Sequence, residues 1–334
     1  MQRQSVSIRF RALLGAAVLA LGGTAAAQTR LDMAIAWPPG NFHTKNAMAF
    51  ADAVDKATGG QVKITVHAGG VLGLKGPETL RAVRDGIVPM AEFNSPQQVG
   101  DAPLFALEAQ PYLVADYGQL RALHDIMLPE YDKLLARFGQ KRLYMTPWPE
   151  QYLFSKKPVA ATADVKNIKV RVTDRVTSEL IKHVGMSPVQ MTFADMMPAL
   201  ASGGLDGVTT SASTAVDSRF WEFMTYAYKT NHVWSSNVAT INLAAWNKLA
   251  PEQRAAIEKV ARELEPAFWK ASQEDDAKSV AVLRQHGMQV EPMPAAVTAD
   301  LKKAAAEMVD AYGKRTPPVP ALLKQYRDRA GASR

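Results

Sequence analysis

Apolar residues along this chain recur first at every second position and then at every third or fourth, and the two periods take turns. Leu31, Met33, Ile35 and Trp37 alternate with polar or small neighbours, which predicts a strand. After the break at Pro38-Pro39-Gly40-Asn41 the period turns helical. Ala47, Phe50, Ala51 and Val54 share one face, and Gly59-Gly60 stops the helix. "QVKITVHAGG" (61–70) is a second strand, "GPETLRAVRDG" (76–86) a helix entered through Pro77, and "IVPMAEFN" (87–94) a third strand. Strand, helix, strand, helix, strand is the pattern of an α/β fold with a mostly parallel sheet.

A helix is expected from Gln119 to Phe138, then two extended pieces around Pro147 and Pro149. A second α/β series runs from about Tyr152 to Asn231. Its first strand lies in "DVKNIKVRVTDR" (164–175), where Ile168, Val170 and Val172 alternate with Lys169 and Arg171. One face is apolar and the other basic. Such cations are usually solvated, so either Lys169 and Arg171 are surface residues or one of them faces a ligand. A long helix from Pro251 to His286 carries Ile257, Val260, Ala261, Leu264 and Phe268 at helical spacing. It exceeds an ordinary globular helix and can reach across two lobes. A helix from Thr298 to Tyr312, a stiff "KRTPPVP" linker and a tail lying on the surface complete the expectation.

The first residues change the picture of where the protein works. Arg3, Arg9 and Arg11 precede an apolar run from Ala12 to Leu21, and Ala25 and Ala27 form an A-x-A cleavage pattern. This is a secretory signal peptide over 1–27, with Gln28 opening the mature chain. The run falls short of the ~20 residues that span a membrane. A periplasmic, soluble protein is expected. The chain has 0 Cys, which excludes disulfides, thiolate metal sites, a lipoprotein anchor and a cysteine nucleophile. The formal net charge is +7, and losing the 3 leader arginines leaves +4, without a dense basic cluster. Nucleic acid is therefore not an expected partner.

The search for catalytic chemistry comes back empty. None of His43, His67, His124, His183, His232 and His286 stands at i, i+4 from another with a glutamate between. "GGVLGLKG" (69–76) lacks the Gly-Lys-Ser/Thr of a phosphate loop, and no nucleophile elbow or dinucleotide fingerprint occurs. No catalytic residue, metal or cofactor is expected. Trp37, Phe42, Trp148, Tyr152, Phe193, Phe220, Trp221 and Trp234 mostly flank strand ends or turns. Core packing accounts for any of them. Yet Trp37, Trp148 and Phe193 fall where open α/β sheets bind ligands, beyond the carboxyl ends of strands.

Several segments together resemble the solute-binding proteins of TRAP transporters, of the dicarboxylate-binding (DctP) type. They are "TGGQVKITVHAGGVLG", "ADVKNIKVRV", "VGMSPVQMTFADMMPALASGGLDGV", "FWEF" and "TNHVWS". The resemblance covers essentially the whole mature chain. It implies a two-lobed periplasmic binding protein fold, with a ligand cleft between α/β lobes and a long bridging helix. Lobe I would take 28–147 and about 237–276, and lobe II 148–236 and about 277–334. Crossings would lie near Thr146–Pro149, near Trp234–Val238 and within the long helix. It also implies capture of an organic acid and delivery to a small and a large TRAP membrane subunit.

Position by position, the resemblance assigns the carboxylate grip to Arg171 and leaves Lys166, Lys169 and Arg175 on the surface. A guanidinium forks onto both oxygens of a carboxylate, which an ammonium cannot do. Asn94 and Ser95 fall at the pocket wall, Phe193 in the "M-x-F" turn, and Trp37 and Phe42 near the cleft mouth. Two positions depart from the family pattern. Gln151 stands where many relatives carry a second arginine, and Thr210 where many carry an asparagine. A second carboxylate would lack its counter-charge. The expected ligand is thus a monocarboxylate with an apolar or aromatic body, walled by Trp37, Phe42, Trp148, Tyr152, Phe193 and Trp234. A C4-dicarboxylate is the alternative, with Lys156 or Arg175 supplying the missing charge. A monomer serving transport is the leading expectation, beside a ligand sensor on the same fold and a secreted enzyme.

Overall fold

The computed structural model describes residues 28–315 and 317–332, so the signal segment lies outside the described residues. The first unit runs β1 (Thr29–Ile35), α1 (Phe42–Ala57), β2 (Val62–His67), α2 (Thr79–Arg84), β3 (Met90–Asn94), α3 (Tyr117–Arg137) and β4 (Gln140–Pro147). The second runs β5 (Gln151–Ser155), β6 (Lys169–Val172), α4 (Arg175–Lys182), β7 (Ser187–Gln190), α5 (Phe193–Ala201), β8 (Gly207–Ser211), α6 (Ala212–Asp217) and β9 (Tyr226–Lys229). The chain then returns through β10 (Ser236–Asn242), α7 (Leu243–Lys248) and α8 (Pro251–Gln285), and ends with β11 (Gln289–Pro292), α9 (Ala295–Arg315) and α10 (Val319–Ala332).

Two sheets result, in the orders β2-β1-β3-β10-β4 and β11-β9-β5-β8-β6-β7. The α/β lobes expected from the sequence are present, but neither sheet is purely parallel. β10 runs antiparallel to both β3 and β4, and β5 antiparallel to β8 and β9. The cause is connectivity. The chain leaves the first sheet after Pro147 and enters the second at Gln151, then leaves after Lys229 and re-enters at Ser236. A strand that starts at the junction must run away from it, against neighbours that end there. The Trp148 amide donates to the Ser235 carbonyl (2.8 Å) and so ties the two crossings together.

The bridging helix is present as α8. Its Ile257, Val260, Ala261 and Phe268 join the core beneath the first sheet, while Leu283 joins a core of the second. One expectation fails at the C-terminus. The tail was placed with the second lobe and on the surface. In α10, however, Val319, Leu322, Leu323 and Tyr326 are buried against Leu120, Leu123 and Met127 of α3. Their i, i+3, i+4, i+7 spacing is an apolar stripe, and it covers α3 on the first lobe. α9 does pack with the second lobe, through Val297, Leu301, Ala304 and Ala305.

Away from α8, side chains also bridge the lobes: Asn41 donates to Asp217 (2.7 Å), Lys75 pairs with Asp195 (2.9 Å), Phe193 meets Trp37, Asn231 donates to the Ala115 carbonyl (3.0 Å) and Tyr312 to the Pro103 carbonyl (2.7 Å). Two lobes joined by three crossings are the layout in which hinge closure is expected. Small-angle scattering with and without bound acid should show a smaller radius of gyration for the saturated protein. An unchanged radius at saturation would contradict a closing motion.

Candidate functional site

The carboxyl ends of β1, β3, β4, β6 and β8 point at one another across the junction, and β5 and β10 start there. A small cavity of about 30 Å³ lies at this place. That is well below the ~300–1,000 Å³ of pockets for drug-sized ligands. It has room for a water or two, so what it says about a ligand lies in its lining and not in its volume.

Arg171 comes from β6. Val170 and Val172 face the core of the second lobe, so Arg171 points to the other side of the sheet. It is nonetheless buried, at 2 % exposure. Its guanidinium donates to the Met191 carbonyl (3.2 Å) and the Thr173 hydroxyl (3.2 Å). No carboxylate pairs with it among the described residues. Asp174 is near enough to favour its charge. That carboxylate, however, accepts from the Thr177 amide (2.9 Å) and hydroxyl (3.0 Å), capping α4. Burial lowers the Arg171 pKa to about 10, with Asp174 opposing the shift. The group stays cationic at neutral pH, and a bound anion would restore what desolvation removes.

The remaining wall is mostly aromatic and neutral. Trp37 packs edge-on against Trp148 at 4.9 Å between ring centres and against Phe193 at 5.9 Å. Asn94, Gln151 and Thr210 also line the cavity. The Gln151 amide nitrogen is held by the Pro149 carbonyl (2.8 Å). Among the described lining residues Arg171 is the one formal charge.

Seven of the ten expected residues thus converge: Arg171, Gln151, Thr210, Phe193, Asn94, Trp37 and Trp148. Three do not. Ser95 turns inward to the Phe105 carbonyl and the Tyr131 hydroxyl (3.0 Å each). Phe42 stands behind Trp148 in the first core, and Trp234 packs on Tyr117 in the core around α3. Of the other residues weighed, Tyr152 donates to Asp276 (3.2 Å), and Arg175 is an exposed partner of Glu179 (3.0 Å). Thr173, Ser211, Thr214 and Ser235 line the cavity without having been expected. The readable signal was position: Thr173 and Ser211 are at or just past the ends of β6 and β8, and Ser235 precedes β10.

Among the described residues no group of three or more histidines and acids could hold a metal ion. No helix among them is long and apolar enough to cross a membrane.

Two α/β lobes meeting at a cavity with a buried cation have the build of a receptor for an acidic solute. Residues 33–315 match the bacterial extracellular solute-binding proteins, family 7 (DctP), and the chain belongs to that family, the solute-binding proteins of TRAP transporters. It is 30% identical to a solute-binding protein of Verminephrobacter eiseniae over 276 residues, 80% of either chain. Two solved structures each superpose with a TM-score of 0.87, covering 90% of this chain and 99% of theirs. One is DctP7 of Bordetella pertussis, an extracytoplasmic solute receptor binding pyroglutamic acid, at 30% identity. The other is a marine metagenome TRAP solute-binding protein specific for pyroglutamate, at 32% identity.

Replacing a buried charge by an apolar residue of like size is often neutral or stabilising. Arg171→Met should therefore keep or raise the melting temperature, while acid affinity measured by calorimetry falls about 100-fold or more. Arg171→Lys should also bind weakly, because it loses the fork. Near-wild-type affinity in Arg171→Met would place the anion grip on another residue.

Proposed function

We propose that this protein captures a compact monocarboxylic acid in the periplasm, as a monomer freed of residues 1–27, and presents it to a small and a large TRAP membrane subunit without transforming it. The observation that carries the ligand class is the buried Arg171 guanidinium, bonded to neutral oxygens alone. It receives one carboxylate. Trp37, Trp148 and Phe193 cover the body of the ligand. Gln151 and Thr210 offer neutral hydrogen bonds where a second carboxylate would need a cation. The two pyroglutamate-binding relatives, at 30% and 32% identity, support the same class.

A thermal-shift panel tests this against succinate and malate, with pyroglutamate and small 2-hydroxy and aromatic monoacids as the favoured group. Ligand at 100 times its Kd adds about 2.7 kcal/mol of stability. For a chain of this size that raises the melting temperature by roughly 4 °C. Monoacids should produce the shift, and the C4-dicarboxylates should not. Stabilisation by the dicarboxylates alone would overturn the reading.

A further inference from the structure

The cavity wall contributed by the first lobe is held by buried hydrogen bonds that leave each group one role. Asn94 on β3 lies directly opposite Asn237 on β10, so their side chains share a face of the sheet. The Trp148 indole donates to Asn237 Oδ1 (2.7 Å). Asn237 Nδ2 donates to Glu92 Oε1 (2.9 Å), and the Tyr144 hydroxyl donates to Glu92 Oε2 (2.9 Å). Glu92, Asn94, Asn237, Tyr144 and Trp148 are all at least nine-tenths buried. His43 Nδ1 lies 2.9 Å from Glu92 Oε1, but without the alignment of a hydrogen bond.

These partners remove the usual ambiguity of an amide. An indole nitrogen can only donate, so the Asn237 atom facing Trp148 is its oxygen. Burial, with Glu92 nearby, pushes the Tyr144 phenol well above its ordinary range and keeps it a donor. Asn237 is thus fixed with its oxygen toward Trp148 and its nitrogen toward Glu92. Asn94 Nδ2 must then face Asn237 Oδ1, at a long 3.4 Å. Asn94 Oδ1 is left buried with no hydrogen-bond partner, and so is Trp37 Nε1. Both residues line the cavity with Arg171. An amide oxygen buried without a donor is unfavourable unless something else supplies one.

We propose that Asn94 Oδ1 is a selectivity element requiring the ligand to carry an N–H or O–H donor beside its carboxylate. Glu92 and Asn237 are positioning residues that hold the Asn94 amide this way round. The inference rests on the reading of a compact acid gripped by Arg171, and it narrows that class. Cyclic lactam acids and 2-hydroxy acids fit. Acids of the same shape that present only acceptors, such as lactone acids and 2-oxo acids, meet the Asn94 oxygen with lone pairs.

Calorimetry on the wild-type protein with pyroglutamate and with the matching five-membered lactone acid isolates this contact, because only the ring N–H is exchanged for oxygen. Pyroglutamate should bind about tenfold or more tightly than the lactone. Asn94→Leu should bring that ratio close to one. Asn237→Leu should also shrink it, because the Asn94 amide can then turn over, and a mere loss of packing would weaken both acids alike. Equal wild-type affinities would overturn the inference and leave the Arg171 reading standing. A wild-type protein that binds neither acid would overturn that reading and the inference with it. An Asn237→Leu protein that keeps the full ratio would overturn the positioning role. An Asn94→Leu protein that still binds pyroglutamate and keeps the full ratio would move the selectivity to another lining residue and overturn the inference.

Discussion

Taking a guanidinium out of water without giving it a carboxylate is unfavourable, and among the described residues this happens at one place, Arg171. Its other deeply buried charges are well satisfied. Glu108 accepts from the Ser236 amide (2.7 Å), the Ser236 hydroxyl (2.8 Å) and His124 (2.7 Å). Glu92 accepts from Tyr144 and Asn237. Arg171 has two bonds to neutral oxygens and five N–H groups to satisfy. The contrast supports the proposal that its partner is a bound acid, with stability given up for recognition as at many functional sites.

The fold explains how that cation can be buried and still face a ligand. Val170 and Val172 anchor β6 in the core, and the pleat turns Arg171 to the opposite face, near the carboxyl end of the strand. The paired chain crossings bring Trp148 and Ser235 to the same end from the other sheet. Aromatic faces from both lobes then exclude water around the charge, which strengthens any ion pair formed there. An acid buried there would complete the pairing of Arg171.

Much of this is legible in the sequence. The alternation around Arg171, the glycine stops and the length of α8 predicted two α/β lobes, and the strand ends at Trp37 and Trp148 located the cleft. Resemblance, rather than periodicity, singled out Arg171 from its neighbours. What remained hidden depends on which side an element presents. Trp148 and Trp234 both flank crossings, and packing alone sends one to the cavity and the other into the core around α3. Ser95 follows Asn94 by one residue and so turns away from the cavity, into the core. The Asn94–Asn237 contact joins residues 143 apart on strands whose pairing follows from connectivity. The buried stripe of α10 was present in the sequence but sat behind a proline linker and read as a tail.

The central claim is that Arg171 is the carboxylate site, completed only when an acid binds. A crystal structure of the protein saturated with its acid tests this most directly. It should show both carboxylate oxygens within hydrogen-bond distance of the Arg171 guanidinium, with the body of the ligand against Trp37 and Trp148. A carboxylate held elsewhere, with Arg171 still bonded only to Met191 and Thr173, would contradict it.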